Sequence, residues 1–310
     1  MAAQRANAKK ESKFEALLPA AIDLDEETKF VGYEDSSIES EIKLIFKNGK
    51  EVKSASGECM IVLDTTPFYG ESGGQVGDKG KLSSKGLEVE VLDTQKVGNF
   101  HLHISKIKKG SLNLHDRVKA EIDTERRRAI VSNHSATHLM HSALRNILGE
   151  HVQQKGSLVN EEKLRFDFSH KQKLSESEIV KIEQEVNQAI TSAEDTQIIE
   201  TSIEESQKLG AIAFFGEKYG DQVRVLKIAG DYSTELCGGT HVKNSSEIKS
   251  FKIISETSIS SGVRRIEAIS GDLAIKDKAD NKTDLLNTAE TFNVSVKDLP
   301  IFLKDKTKVI

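Results

Sequence analysis

Two short stretches of this 310-residue chain carry residue types that bind metal. In HSATH, His134 and His138 stand four residues apart, so on a helix both imidazoles project from one face about one turn apart. In CGGTH, Cys237 and His241 repeat that spacing, with Gly238 and Gly239 between them to permit a sharp backbone turn. A divalent ion needs ligands converging within about 2 Å of one point, and one thiolate with three imidazoles favours zinc over the harder magnesium or calcium. Either pair alone has an ordinary explanation in helix packing or a local turn; together they make metal binding the stronger reading. His141 lies on the same helical face, as a rival ligand or as a group supporting one. Cys237 could also be a nucleophile activated by a neighbouring imidazole. An ion bound to the thiolate would remove its freedom to attack, so the readings compete, and the ligand count favours the ion.

The elements that must position these residues fall into two patterns. Over residues 25–123 the apolar residues recur with period two, as in SEIKLIF (40–46), CMIVLD (59–64), LEVEVLD (87–93) and RVKAEID (117–123). Turn-rich pieces separate them, which predicts a small antiparallel barrel or sandwich. GESGGQVGDKG (70–80) has five glycines but lacks the spacing of a phosphate loop, so a glycine-permitted hairpin with close backbone packing is expected.

From residue 124 the period becomes helical. Ile130, Thr137, Met140, Leu144 and Leu148 share a face, and Gly149 can end the helix. Strands are expected in HVQQKGSLV and KLRFDFS. Ser175 and Glu178 stand in capping-box spacing before a second long helix, and short strands follow around TQIIETS, QVRVLKI, KSFKIIS and VRRIEAI. Helices interleaved with short strands predict an α+β sandwich over 124–271, followed by a helical tail over 272–310.

Composition narrows the function classes. No apolar run approaches the roughly 20 residues of a membrane span, and no membrane partner is expected. Two cysteines, Cys59 and Cys237, are a poor staple for this length and read as reduced thiols of a cytoplasmic protein, while the basic start is also compatible with an organellar transit peptide. With 44 Lys and Arg against 49 Asp and Glu the net charge is −5, which gives no global basic signature yet does not exclude nucleic acid; no DNA partner is expected. The local clusters KIKKG (106–110) and ERRRA (125–129) read first as solvated charged faces.

NHSATHLMHSALR, HVQQKGSLVNEEKLRFDFSH, ELCGGTHV and SGVRRIEAISG, in this order, resemble the editing domain of alanyl-tRNA synthetases. TTPFYGESGGQVGDKG resembles the signature of the small β-barrel preceding that domain, so the resemblance spans residues 1–272. Threonyl-tRNA synthetases carry a related editing domain, but FYGESGGQVGDKG and CGGTHV favour the alanine branch. The resemblance implies a zinc-dependent ester hydrolase that removes serine or glycine wrongly attached to the 3′ end of alanine tRNA. It implies His134, His138, Cys237 and His241 as zinc ligands, Thr137 as the sensor of the serine hydroxyl, and Gln154 as a further editing residue. Arg264 and Arg265 could contact the tRNA end, with a surface ion pair as the equal alternative. Four protein ligands fill a tetrahedral shell, so the ion either expands to hold water or the substrate amine, or shapes the pocket while a separately held water attacks.

The resemblance also implies that residues 1–24 end a preceding helical region and that 272–310 lead toward a further domain. No ATP-binding motif is legible, so no aminoacylation is expected of this chain, which reads as the middle of a synthetase. The alternatives are a free-standing editing protein and a non-catalytic tRNA-binding module with structural zinc. Oligomeric state is not legible in the sequence.

Overall fold

The computed structural model describes residues 27–213, 220–300 and 302–303. The helical region expected over 1–24 and the extreme C-terminus lie outside them. The fold is α+β, with a closed six-stranded antiparallel barrel followed by layered helices and sheets.

The barrel strands are β1 (Ser37–Lys47), β2 (Glu58–Leu63), β3 (Gly80–Ser84), β4 (Leu87–Val97), β5 (Phe100–Lys109) and β6 (Arg117–Ile122). Their order is β6-β3-β4-β5-β2-β1, and pairing of β6 with β1 closes the ring and leaves no long free edge. The period-two pattern explains the inside: Leu87, Val89 and Val91 of β4, and Val118, Ala120 and Ile122 of β6, are buried while their neighbours face outward. The KIKKG lysines behave as a solvated face, with Lys106 and Lys108 paired to Glu58 and Glu90.

The helix expected to hold the histidines is α1 (Thr124–Leu148), capped by the Asp123 carboxylate on the Arg126 amide and ended at Gly149, whose φ is 114°. It departs from a one-faced surface helix, because every residue from Ser132 to Leu144 is buried. Such a helix has no solvent side, so its polar residues carry internal bonds: Asn133 donates to the Asn160 carbonyl, and the Ser132 hydroxyl meets that of Ser270.

Around α1 stand a four-stranded sheet and a three-stranded sheet. The first comprises β7 (Gln154–Val159), β8 (Leu164–Ser169), β12 (Phe251–Ser260) and β13 (Val263–Ser270), in the order β7-β8-β13-β12. The second comprises β9 (Gln197–Ser202), β10 (Gln222–Ile228) and β11 (Ser233–Leu236), in sequence order. Helix α2 (Glu176–Thr191) carries the expected Ser175–Glu178 capping box and packs Ile182, Val186 and Ile190 into the core shared with Leu139, Met140, Phe166 and Ile266. A one-turn helix α3 (Ile203–Lys208) follows β9, and α4 (Gly271–Thr291) forms the first part of the tail. No described helix is long and apolar enough to cross a membrane.

The glycine-rich segment holds the expected glycine-permitted hairpin turn, at Gly73 and Gly74, closed by a single antiparallel bridge. It makes a tight turn in which Ser72 and Gln75 exchange both backbone hydrogen bonds, then runs beside β7, with Val159 donating to the Gly74 carbonyl at 2.7 Å. Gly74 sits at φ +85°, and a Cβ there would lie 2.9 Å from the Ser157 carbonyl oxygen, so both conformation and space require glycine. Asp78 anchors the segment. Its carboxylate, 1% exposed, takes the guanidinium of Arg127 and the Tyr69 amide, while Arg127 also donates to the Gly32 and Pro67 carbonyls. ERRRA is therefore only partly a solvated face: Arg127 is buried and Arg126 bonds Glu161 and the Gly77 carbonyl, leaving Arg128 exposed.

Removing one partner of a buried ion pair strands the other charge, at a cost of about 3–5 kcal/mol. Asp78→Ala is expected to lower the urea midpoint correspondingly, and Asp78→Ala with Arg127→Met to recover part of the loss.

Candidate metal centre

α1 delivers His134 and His138 from one face, and the turn after β11 delivers Cys237 and His241. The four donor atoms lie within 4.8 Å of one another. The sulfur of Cys237 is 3.6 Å from His134 Nε2 and 3.3 Å from His241 Nε2. Each imidazole has its other nitrogen engaged by a different part of the chain. His134 Nδ1 donates to Gln75 Oε1 at 2.8 Å, His138 Nδ1 to the Glu235 carboxylate, and His241 Nδ1 to the Ser135 hydroxyl at 3.3 Å. A carbonyl or carboxylate oxygen can only accept, so these partners fix the Nδ1–H tautomer of His134 and His138 and leave Nε2 as the donor atom. Burial opposes the Cys237 thiolate, but the imidazoles of His134, His241 and His138 outweigh it and hold its pKa well below the usual thiol range. One deprotonated thiol and three oriented imidazoles could hold a soft divalent ion.

The two glycines between Cys237 and His241 differ in role. Neither has a left-handed φ, so the sharp turn expected of them is not the reason for glycine at either position. At Gly239 a Cβ would lie 2.2 Å from His134 Cε1, whereas at Gly238 nothing stands within 4 Å. The turn's carbonyls are held instead by Arg224, which donates to those of Cys237 and Gly239 at 2.9 and 3.1 Å, and by the Tyr33 hydroxyl, which donates to Gly238 at 2.7 Å.

The cluster opens onto a cavity of about 760 Å³ that also reaches Thr137 and Gln154. Thr137 is buried, and its hydroxyl donates to the Asn133 carbonyl of its own helix at 2.8 Å, leaving oxygen lone pairs free to accept. Gln154 opens β7, an edge strand. His141 stands outside the four-donor set; its Nδ1 donates to the second oxygen of Glu235 at 2.7 Å. Arg264 and Arg265 do not line the cavity. Arg264 is buried against Glu256, and Arg265 makes two bonds to Asp167 at 2.7 and 2.9 Å.

Two buried residues at the cluster escaped the sequence reading. Glu235 stands two positions before Cys237 at the end of β11, and strand periodicity puts alternate residues on one side, a signal that was available. Gln75 reaches His134 from the barrel's glycine-rich segment, 59 residues away, and its carbonyl also accepts from the Thr240 amide at 3.0 Å. Nothing local in the sequence marks it.

Residues 1–126 match the family model described as tRNA synthetases class II (A), and residues 223–267 that of the threonyl and alanyl tRNA synthetase second additional domain. The alanine–tRNA ligase of Alkaliphilus metalliredigens (strain QYMF) is 52% identical over 268 residues, covering 86% of this chain and 30% of the relative. That of Xanthomonas axonopodis pv. citri (strain 306) is 50% identical over 266 residues, 84% of this chain and 30% of the relative. That of Thermoanaerobacter sp. (strain X514) is 46% identical over 295 residues, 92% and 34%. The chain spans about a third of the length of the curated relatives it matches.

Gly239→Ala is expected to weaken zinc binding at least tenfold while Gly238→Ala stays within about threefold, because only the first methyl displaces a donor. Glu235→Gln should cost about 10–100-fold. Competition against a chromophoric chelator measures all three.

Proposed function

The chain belongs to the alanyl-tRNA synthetase family, and on that premise we propose that it hydrolyses the ester of mischarged Ser-tRNA(Ala) and Gly-tRNA(Ala), with zinc held by His134, His138, Cys237 and His241. The observation that carries this reading is the convergence of the four donors beside a cavity that also reaches Thr137 and Gln154. A thiolate with three imidazoles fits zinc, which when bound would supply Lewis-acid polarisation and fix the geometry of what binds beside it.

The remaining chemistry falls to the chain's own groups. An apolar pocket separates serine from alanine only weakly, whereas a site that pairs the hydroxyl gains a binding term alanine cannot match. Thr137 suits that role because its own proton is committed to Asn133, so its oxygen is left to accept a hydrogen bond from the substrate hydroxyl. Gln154, which also lines the cavity, offers amide donors and an acceptor suited to the ester or ribose oxygens. The Gln75 and Glu235 contacts hold His134 and His138 in register during turnover. The closed four-donor set favours an ion that positions substrate and water. The same closure favours the second reading, a tRNA-binding module with structural zinc. Alanine tRNA is the partner in both, and no ATP-dependent alanylation is expected of this chain.

Release of serine from Ser-tRNA(Ala) by the zinc-loaded chain, and its loss on chelation, is the expected result. Thr137→Val should cut kcat/KM for Ser-tRNA(Ala) by about tenfold or more and change Gly-tRNA(Ala) less, since glycine has no hydroxyl to pair. Absence of release above background by metal-loaded protein would leave only the binding module.

A further inference from the structure

Of the nine histidines, three belong to the four-donor set, and His101, His103 and His141 are buried elsewhere. His115 is exposed and bonds Glu41. The remaining two, His151 and His170, are 19 residues apart in sequence yet meet at the surface, outside the cavity. His151 is exposed in the loop between α1 and β7, and His170 is half-buried just beyond β8. Nε2 of His151 stands 2.9 Å from Nδ1 of His170, with ring centroids 5.2 Å apart and planes inclined by 26°. Phe168 stacks on His170 as well, at 6.4 Å.

The backbone beneath these rings is fixed. The Ser169 hydroxyl donates to the His151 carbonyl at 2.7 Å and accepts from the Gln153 amide at 2.9 Å. The His170 amide donates to the Gly262 carbonyl at 3.0 Å. Partial burial and the neighbouring imidazole hold the pKa of His170 below its usual value, so the ring is neutral at pH 7. Among the charges that act on it, Glu178 and Glu256 favour a bound cation and Arg264 opposes one. A nitrogen pair at this separation suits one kind of ion. With metal–imidazole bonds of about 2 Å, two nitrogens stand about 2.9 Å apart at a right angle and about 3.3 Å apart at the tetrahedral angle. Right-angled nitrogen donors suit nickel(II) or copper(II), whereas zinc takes the wider arrangement.

We propose that His151 and His170 form a second metal site, at the surface, for a divalent ion of square or octahedral preference such as nickel(II), with water completing its shell. In the ion-free chain one ring donates its N–H to the other. Binding passes that proton to the far nitrogen of the same ring, so both facing nitrogens present lone pairs and no proton is released. The site is independent of the four donors and of the hydrolase reading. An ion there braces residues 149–153, the loop that leads into Gln154, against the end of β8.

The test titrates nickel(II) into the full zinc-loaded chain by calorimetry, with zinc retention measured throughout. One nickel per chain should bind in addition to the zinc, at micromolar concentration and more tightly than further zinc does. His151→Gln and His170→Gln should each weaken nickel binding by about tenfold or more, since either leaves a single imidazole, while His115→Gln stays within about twofold of wild type. Zinc content and circular dichroism equal to wild type qualify each variant as folded. Should His170→Gln fail that criterion, the exposed His151→Gln decides. The site is overturned if no additional nickel binds, if nickel is gained only as zinc is lost, or if folded His151→Gln binds nickel as tightly as wild type. Tighter binding of further zinc than of nickel at the pair overturns the right-angled geometry on which the choice of ion stands.

Discussion

The buried pair of Arg127 and Asp78 is the interaction on which the rest of this architecture depends. Two charges withdrawn from water are costly unless each remaining donor and acceptor is used. Here Arg127 adds the Gly32 and Pro67 carbonyls, and Asp78 adds the Tyr69 amide. The pair therefore ties α1 to three separate places in the barrel and its leading segment. Asp78 lies three residues beyond Gln75, and Arg127 two turns before His134, so the contact that fixes the glycine-rich segment also sets the register at which Gln75 meets His134. Barrel and metal centre are one mechanical unit.

The support around the donors comes from distant parts of the chain. Gln75 approaches from the barrel, Glu235 from β11, Ser135 from α1, and Arg224 from β10. Each fills a valence the donors and their turn would otherwise leave open in a water-poor interior. Burial of α1 on all sides from Ser132 to Leu144 follows from this arrangement. A helix that carries donors toward a cavity on one side and core residues such as Leu139 and Met140 on the other has no face left for solvent.

Much of this was legible in the sequence, for physical reasons that also mark where legibility ended. His134 with His138, and Cys237 with His241, could be paired because four-residue spacing is a local geometric fact. The barrel followed from alternation such as that of Leu87, Val89 and Val91, where burial itself writes the pattern. Gln75 left no trace, because its role is created by a contact across 59 residues. The hairpin turn and close packing of the glycine-rich segment were legible, but its pairing with the edge strand β7 was not, since no local rule foresees it. Gly238 and Gly239 looked alike as letters, and only the His134 ring beside the second separates them. ERRRA was read as one face, yet its middle residue is enclosed, since a charge cluster does not say which member has a buried partner.

The carboxylate that Glu235 shares between His138 and His141 has a consequence in charge balance. Held ionised by those two imidazoles against the burial that opposes it, it places one negative charge beside the one carried by the Cys237 thiolate. Were a dication held by the four donors with the imidazoles neutral, that buried set would sum to zero, whereas a monovalent ion would leave it negative and a trivalent one positive. In a medium that penalises net charge far more than water does, this balance would favour a divalent guest.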